Sequence, residues 1–264
     1  MKEPQIYAEI SNLIDTNLTE QHKVKIQETV SFVRQVLGFL PRAVPDYTDH
    51  GIQHSLNLMT IFNNYSLNIS KLGYTFTEQE NYLLTLAIWI HDIGLLITKE
   101  EEKSKHNENS IKVMESHEFT MLEDILGKDV FRCLKYVVKF HSSHTDLNLV
   151  PKHEIIPNVR LRLICAVFRL LDGCDITSAR TTRVLYNLLA ANGLLKADSI
   201  PFWKAHLSIS SAVFQGNDLI VDCDNLEDAK LLTSHLEKDL VPINKILSEE
   251  KFPEFKFSVV QSEL

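Results

Sequence analysis

Several histidines and aspartates stand where the chain is otherwise apolar. His91 and Asp92 directly follow the apolar stretch LAIWI. Burying an imidazole or a carboxylate costs free energy unless a hydrogen bond or a metal ion compensates it. Adjacent helical residues point about 100° apart, so the pair can bind one ion only if the helix ends there, which Gly94 permits. Such a pair suits Mn, Fe, Co, Ni or Zn. A core histidine beside a helix-capping aspartate is the alternative.

Residues of the same types occur at the ends of other helical segments. Asp172 and Asp175 interrupt the apolar stretch RLICAVFRLLDGCDITSAR, His141 and His144 end YVVKFHSSH, and His106 begins HNENSIKVMES. Each of these residues alone is more often structural or solvated than a ligand. Their order along the chain is His, His-Asp, His, His, Asp, and a bundle of helices can direct such residues to one point.

The stretch YTDHGIQHS places His50 and His54 four positions apart. This spacing is that of the zinc-binding HExxH helix, but Gly51 stands where that motif has its glutamate base, so the zinc-protease interpretation fails. Thr48 and Asp49 predict a helix cap. Gly51 would then lie in the first helical turn, where its low helix propensity costs least, and His54 one turn inside.

Three segments together resemble a known family. QHSLNL, IWIHDIG and LLDGCDITSAR are similar to the successive H…HD…D motifs of the HD superfamily of metal-dependent phosphohydrolases. The resemblance covers about residues 45 to 185. It implies a helical HD domain that binds a divalent ion (Mn, Fe, Co, Ni, Zn or Mg), with one or two ions per chain.

The resemblance also implies the metal ligands. The principal ion would be bound by residues of all three motifs, which are His54, His91, Asp92 and Asp172. Asp92 would bridge to a second ion, whose further ligands would be His106 and His141. The separation of His141 from His144 departs from the adjacent histidines of the family and leaves the number of ions open. Asp175 matches a position that supports a ligand instead of binding the metal.

Catalytic and substrate-binding roles follow from the same resemblance. Besides Asp92, His144 or His50 would be a nearby acid or substrate contact. Arg180, with Lys139 or Arg183, would contact phosphate oxygens. Exposed basic residues on a helix are the alternative for all three cations.

The implied reaction is hydrolysis of a phosphomonoester or phosphodiester, with a nucleotide favoured, by metal-activated water. The chain has no GxSxG elbow, no cysteine paired in sequence with a base and no Walker-type loop, so covalent and P-loop chemistry are not indicated. It also lacks the Gly-Tyr-Pro element of enzymes that cleave cyclic dinucleotides. The alternative function is a non-catalytic nucleotide-sensing or regulatory module with an HD fold.

The elements that would position these residues are mostly helices. Apolar periodicity predicts a helix at about residues 19–40, closed by Pro41 and Pro45, and a second from YTDHGIQHS through SLNLMTIFNNYSLNI. A third begins at Thr77, where TEQE has the form of a capping box. Shorter helices are predicted at residues 107–116, 120–126 and 129–141, and one long helix from Pro157 to Gly193.

The pattern changes after Gly193. HLSISSAVF, QGND and LIVDCD predict a hairpin, and EFKFSVV predicts a third strand. Between them, DNLEDAKLLTSHLEKDLVPINKILSEE predicts an amphipathic helix with an Asn/Asp cap and an interruption at Pro242. We therefore predict a mainly α protein, with a helical HD-type domain over residues 1–195 and a small ββαβ subdomain of α+β type over residues 196–264.

Composition limits the partners. The chain has 264 residues, 44% of them hydrophobic, which is enough for a core, and a formal net charge of −8 that disfavours general nucleic-acid binding. No window approaches the roughly 18 apolar residues of a membrane helix, and the N-terminus lacks a signal-peptide pattern. The four cysteines form no CxxC pair and are expected to be buried or idle thiols. We predict a cytoplasmic protein with a small phosphorylated substrate; a homo-oligomer is left open.

Overall fold

A computed structural model describes residues 18–44 and 47–262. In chain order its helices are α1 (Glu20–Leu37), α2 (Leu40–Ala43), α3 (Ile52–Lys71), α4 (Glu78–Ile90), α5 (His106–Met114), α6 (Thr120–Leu126), α7 (Lys128–Phe140), α8 (Leu161–Gly173), α9 (Arg183–Ala191), α10 (Ile200–Ser208) and α11 (Leu226–Glu249). The strands are β1 (Ile209–Gln215), β2 (Asp218–Cys223) and β3 (Lys256–Gln261). Short 3-10 helices lie at Ile93–Leu96, Glu100–Lys105, His117–Phe119, Leu147–Leu149 and Ser178–Arg180.

This architecture confirms the predicted fold class, mainly α with a small α+β appendage. Contacts divide the chain into two compact units: unit 1 is Met1–Leu40 with Thr75–Arg169, and unit 2 is Pro41–Tyr74 with Leu170–Leu264. The domain boundary near residue 195 stays a prediction. Within the described ranges, no helix combines the length and hydropathy needed to cross a bilayer.

Unit 1 is built around α4, which packs against α1 and α7. The predicted capping box at its start is confirmed: Thr77 Oγ1 accepts from the Glu80 N–H at 3.2 Å, and Glu80 Oε2 accepts from the Thr77 N–H at 2.9 Å. From Tyr82 to Ile90 every residue is buried, as the apolar run LLTLAIWI predicts. Because the helix ends at Ile90, its last turn delivers His91 and Asp92 into this core.

The single long helix predicted for residues 157–193 is wrong. The chain instead forms α8, a turn, a 3-10 helix and then α9. Hydroxyl groups end the continuity: Thr177 Oγ1 accepts from the N–H of residue 179, and Thr182 Oγ1 caps α9. Side chains of this kind compete with the backbone for its hydrogen bonds and favour helix starts over helix interiors. The break leaves the buried Asp175 in the turn instead of on a helix.

Unit 2 combines α3, α10 and α11 with the sheet, whose order is β1-β2-β3. β1 and β2 pair antiparallel, whereas β2 and β3 pair parallel across α11, which gives the predicted ββαβ order. The Asn cap of α11 is confirmed, since Asn225 Oδ1 accepts from two N–H groups of its first turn.

Two details of unit 2 differ from prediction. Residues 206–208 were predicted as strand but end α10, a helix that the sequence pattern did not reveal. Pro242 does not interrupt α11. Proline removes one backbone hydrogen bond from the helix, and burial of the neighbouring Leu240 and Ile243 side chains offsets this loss. Pro45 lies outside the described residues, and Pro41, predicted to close the first helix, lies within α2.

Candidate metal centre

The first cluster of candidate ligands lies in unit 1, and we call its four residues the HD cluster: His91, Asp92, His106 and His141. Asp92 follows the C-cap of α4 in a non-helical conformation (φ −98°, ψ 2°). As predicted for a helix that ends here, the two neighbouring side chains converge, with His91 Nε2 3.3 Å from Asp92 Oδ2. His91 and Asp92 are both buried.

The other two histidines come from helix ends. His106 begins α5, and His141 directly follows α7. Their Nε2 atoms lie 3.8 and 3.9 Å from Asp92 Oδ1 and 2.8 Å from each other. One ligand atom from each of Asp92, His106 and His141 falls within 4.8 Å of the others, which is close enough to hold one ion.

The hydrogen bonds of these rings show whether the cluster suits a cation. Nδ1 lies near a backbone carbonyl oxygen in all three histidines: Ala87 for His91 at 3.2 Å, Lys103 for His106 at 3.0 Å and Val138 for His141 at 2.6 Å. A carbonyl only accepts, so each ring donates from Nδ1 and, when neutral, carries its lone pair on Nε2.

Two such Nε2 lone pairs therefore face each other across 2.8 Å, between His106 and His141. They repel unless a proton or a cation lies between or beside them. Backbone acceptors on Nδ1 are also the usual outer partners of metal-binding histidines. Two imidazole nitrogens and a carboxylate form a donor set for an intermediate divalent ion such as Mn, Fe, Co, Ni or Zn. The residues present thus fit a metal ion.

The second cluster lies in unit 2. His54, in α3, is fully buried; its Nδ1 lies 2.6 Å from Asp175 Oδ2 and its Nε2 lies 3.2 Å from Asp172 Oδ1. Asn57 donates to the same Asp175 carboxylate at 3.3 Å. Burial and the charge of Arg180 lower the pKa of His54, but the hydrogen bonds with Asp172 and Asp175 outweigh them, so the pKa is raised above 6.5. Asp175 orients the His54 ring and leaves Nε2 beside Asp172.

The start of α3 corrects one expectation. Gly51 is the N-cap of this helix and not part of its first turn. Asp49 does cap the helix, from two residues before Gly51: Oδ1 accepts from the Gly51 N–H and Oδ2 from the His54 N–H, both at 3.0 Å. His50 is half-buried, and its ring makes edge contacts with Tyr47 and His54 at 5.5 and 5.6 Å.

The predicted phosphate contacts have different surroundings. Arg180 is buried, and both Nε and Nη2 donate to the Asp49 carbonyl, at 3.0 and 2.7 Å. Arg183 is exposed at the start of α9. In unit 1, Lys139 Nζ lies 5.7 Å from the Phe140 ring centroid. The roles of these three cations in substrate binding stay predictions.

His144 is exposed, in the turn after α7, and its Nδ1 lies 3.4 Å from Ser142 Oγ. Among the described residues, His144 forms hydrogen bonds with Ser142 and with no residue of the HD cluster. Its catalytic role stays a prediction.

Three residues near the two clusters were missed from the sequence: Asn57, Ser110 and His206. Asn57 lies one turn after His54, so helical spacing could have indicated it. Ser110 lies one turn after His106, but in the polar segment HNENS nothing distinguishes it. His206 is buried in α10, close to Arg180 and Asp175. No signal marked it, because α10 itself was not predicted.

A helical fold in which helix ends present histidine and aspartate side chains to one another is that of an HD-type domain. The model of the HD-CE family matches residues 44–242, three quarters of the chain, and the protein belongs to this family. The matched range contains every residue of both clusters. No curated protein matches the chain.

Proposed function

We propose that this protein is a metal-dependent phosphohydrolase that cleaves a phosphomonoester or phosphodiester bond, with a nucleotide as the favoured substrate class. One observation carries the proposal: Nδ1 of His106 and of His141 lies beside a backbone carbonyl, and their Nε2 atoms lie 2.8 Å apart and 3.8 and 3.9 Å from Asp92 Oδ1. A cation bound there removes the repulsion between two neutral rings. Membership of the HD-CE family supports the fold in which this chemistry is placed.

The proposed ligands are those that the resemblance to the H…HD…D motifs implies. In unit 1 they are His91, Asp92, His106 and His141. In unit 2 they are His54 and Asp172. A divalent ion bound by such residues supplies Lewis acidity, acidifying a water molecule and withdrawing charge from phosphoryl oxygens.

The chain's own residues have separate tasks in this proposal. The backbone carbonyls at positions 87, 103 and 138 keep three imidazoles in the tautomer that can bind a cation. The Asp175 carboxylate holds the His54 ring. The imidazole of His144, or less favoured that of His50, is the proposed acid or substrate contact. Arg180, with Lys139 or Arg183, is the proposed contact for phosphate oxygens.

The test combines metal content with turnover. We expect the purified protein to contain a divalent metal by elemental analysis and to release phosphate or nucleoside monophosphate from a nucleotide panel supplied with Mn, Co, Ni or Mg. EDTA should abolish turnover and added metal should restore it. Asp92→Asn should lower turnover by about 100-fold or more, because a lost ligand costs more than the 10- to 100-fold of an outer partner.

His117→Ala is the matched control, since His117 is an exposed histidine of the same unit. It should leave turnover and metal content unchanged. Bound metal and tight nucleotide binding without product after long incubation would instead identify the nucleotide-sensing module.

A further inference from the structure

One buried hydroxyl group connects three backbone groups around the HD cluster. Ser110 lies in α5, one turn after His106, and is completely buried. Its Oγ–H is directed at the carbonyl oxygens of His91 at 2.5 Å and His106 at 3.0 Å. The same Oγ accepts from the Gly94 N–H at 2.9 Å. Ser110 therefore ties the main chain on both sides of Asp92 to the helix that begins with His106.

Gly94 makes this approach sterically possible. A Cβ atom added to Gly94 would lie less than 3 Å from three backbone atoms of α5, including the carbonyl carbon of Asn109 at 2.6 Å. These neighbours are main-chain atoms, so no side-chain rotation can relieve the clash. Gly94 is required here for close approach of two backbones. Any larger residue must push α5, and His106 with it, away from Asp92.

Two buried amides extend the same connection. Asn109 Nδ2 donates to Thr98 Oγ1 at 3.0 Å, and this hydroxyl donates to the Gly94 carbonyl at 2.7 Å. Asn107 Nδ2 donates to the Lys139 carbonyl at 2.6 Å, two residues before His141. Helix α5 has nine residues, too few to be stable alone, so its position depends on such ties.

We infer that Ser110 and Gly94 are positioning residues of the metal centre. They hold His106 Nε2 close enough to the Asp92 carboxylate for both groups to bind the same ion. The inference depends on the metal binding in the proposed function and not on the hydrolysis. Ser110 touches no metal ligand atom. It bonds the backbones of two ligand residues, so its removal shifts ligand geometry without removing a ligand.

The experiment compares Ser110→Ala with Thr85→Ala in the full chain. Thr85 is a buried hydroxyl of α4 that donates to the Asn81 carbonyl of its own helix at 2.8 Å, so it controls for the loss of a buried hydroxyl. Co²⁺ titration followed by visible absorption gives affinity and ligand geometry. In metal-free protein, imidazole ¹⁵N NMR reports the contact between His106 and His141.

Ser110→Ala should bind Co²⁺ about 10- to 100-fold more weakly, with an altered absorption spectrum and shifted imidazole signals. Thr85→Ala should keep the wild-type affinity, spectrum and signals at a comparable loss of thermal stability. Wild-type Co²⁺ affinity and imidazole signals in a destabilised Ser110→Ala would overturn the inference. If Ser110→Ala fails to fold, Ser110→Cys, which keeps a heavy atom at the γ position but donates weakly, is judged by the same two measurements. A wild-type protein that binds Co²⁺ but hydrolyses no phosphoester refutes the proposed function and leaves this inference intact.

Discussion

His50 and His54 are one helical turn apart, yet their surroundings differ. His54 is fully buried between two carboxylates, whereas the half-buried His50 makes edge contacts with two aromatic rings. We expect His54→Ala to lose metal and His50→Ala to retain it. Elemental analysis after desalting measures the difference. His235→Ala, an exposed histidine of unit 2, should behave as wild type.

The same pair of variants should also differ in stability. His54→Ala removes the hydrogen bond between the His54 ring and the buried Asp175 carboxylate. The loss should be about 1–3 kcal/mol, the range for a buried polar group that loses a hydrogen-bond partner, and Asn57 still donates to the carboxylate. His50→Ala removes no such partner. Loss of metal from His50→Ala with retention in His54→Ala would refute the assignment of the ligand to His54.

At this scale, the sequence predicted the residues that violate an apolar pattern. His91, Asp92 and Asp172 interrupt or end apolar runs, and the expected cost of burying them made them visible, although Asp172 is only half-buried in the fold. Ser110 could not be singled out in the same way, because a serine in a polar segment such as HNENS violates nothing. Its importance comes from three backbone groups that meet only in the folded chain.

At the scale of elements, the N-terminus of α4 depends on one buried carboxylate. Glu80 is completely buried, and Arg160 donates to it from its backbone N–H, Nε and Nη2 at 2.7–2.9 Å. Arg160→Ala removes both guanidinium donors and leaves the Glu80 carboxylate with two backbone donors, the N–H groups of Thr77 and of residue 160. We expect a loss of about 3 kcal/mol, the lower end of the range for buried pairs, because the Arg160 side chain is 33% exposed.

Thr77→Ala is the comparison for this element. It removes the hydroxyl that accepts from the Glu80 N–H in the capping box and should cost about 1 kcal/mol, typical of an N-cap. Urea unfolding of both variants measures the two losses. Equal losses would show that the ion pair contributes no more than the cap to the stability of α4.

Elements with local start signals were predictable, and those fixed by distant contacts were not. The capping box of α4 and the Asn225 cap of α11 each depend on a few adjacent residues. The break between α8 and α9 was missed because RLICAVFRLLDGCDITSARTTRVL is helical by periodicity alone. The turn after α8 also contains Asp175, whose carboxylate is hydrogen-bonded to His54, 121 positions away in sequence.

At the scale of the whole molecule, a buried histidine that no sequence pattern marked contributes to the response of stability to pH. His206 is buried and hydrogen-bonded to the backbone of Ile176. Burial first, and then the charge of Arg180, lower its pKa to about 3, although Asp175 raises it and the nearby His50 lowers it further. The folded protein therefore keeps this imidazole neutral, while the unfolded chain protonates it near its ordinary pKa of 6.5.

The sign of the effect follows from proton counting. Above pH 6.5 both states hold a neutral ring, and His206 has no effect on stability; below it the unfolded chain binds a proton that the folded protein does not, so stability falls until about pH 3. At pH 5 this amounts to about 2 kcal/mol, at 1.36 kcal/mol per pH unit.

We expect His206→Gln in metal-free protein to lose stability less steeply than wild type between pH 6.5 and 4 in urea unfolding. Measurement at pH 8, where no proton is involved, gives the packing cost of the substitution alone. Parallel stability curves for the two proteins over that range would show that His206 titrates normally in the fold and that its burial does not set the acid limit.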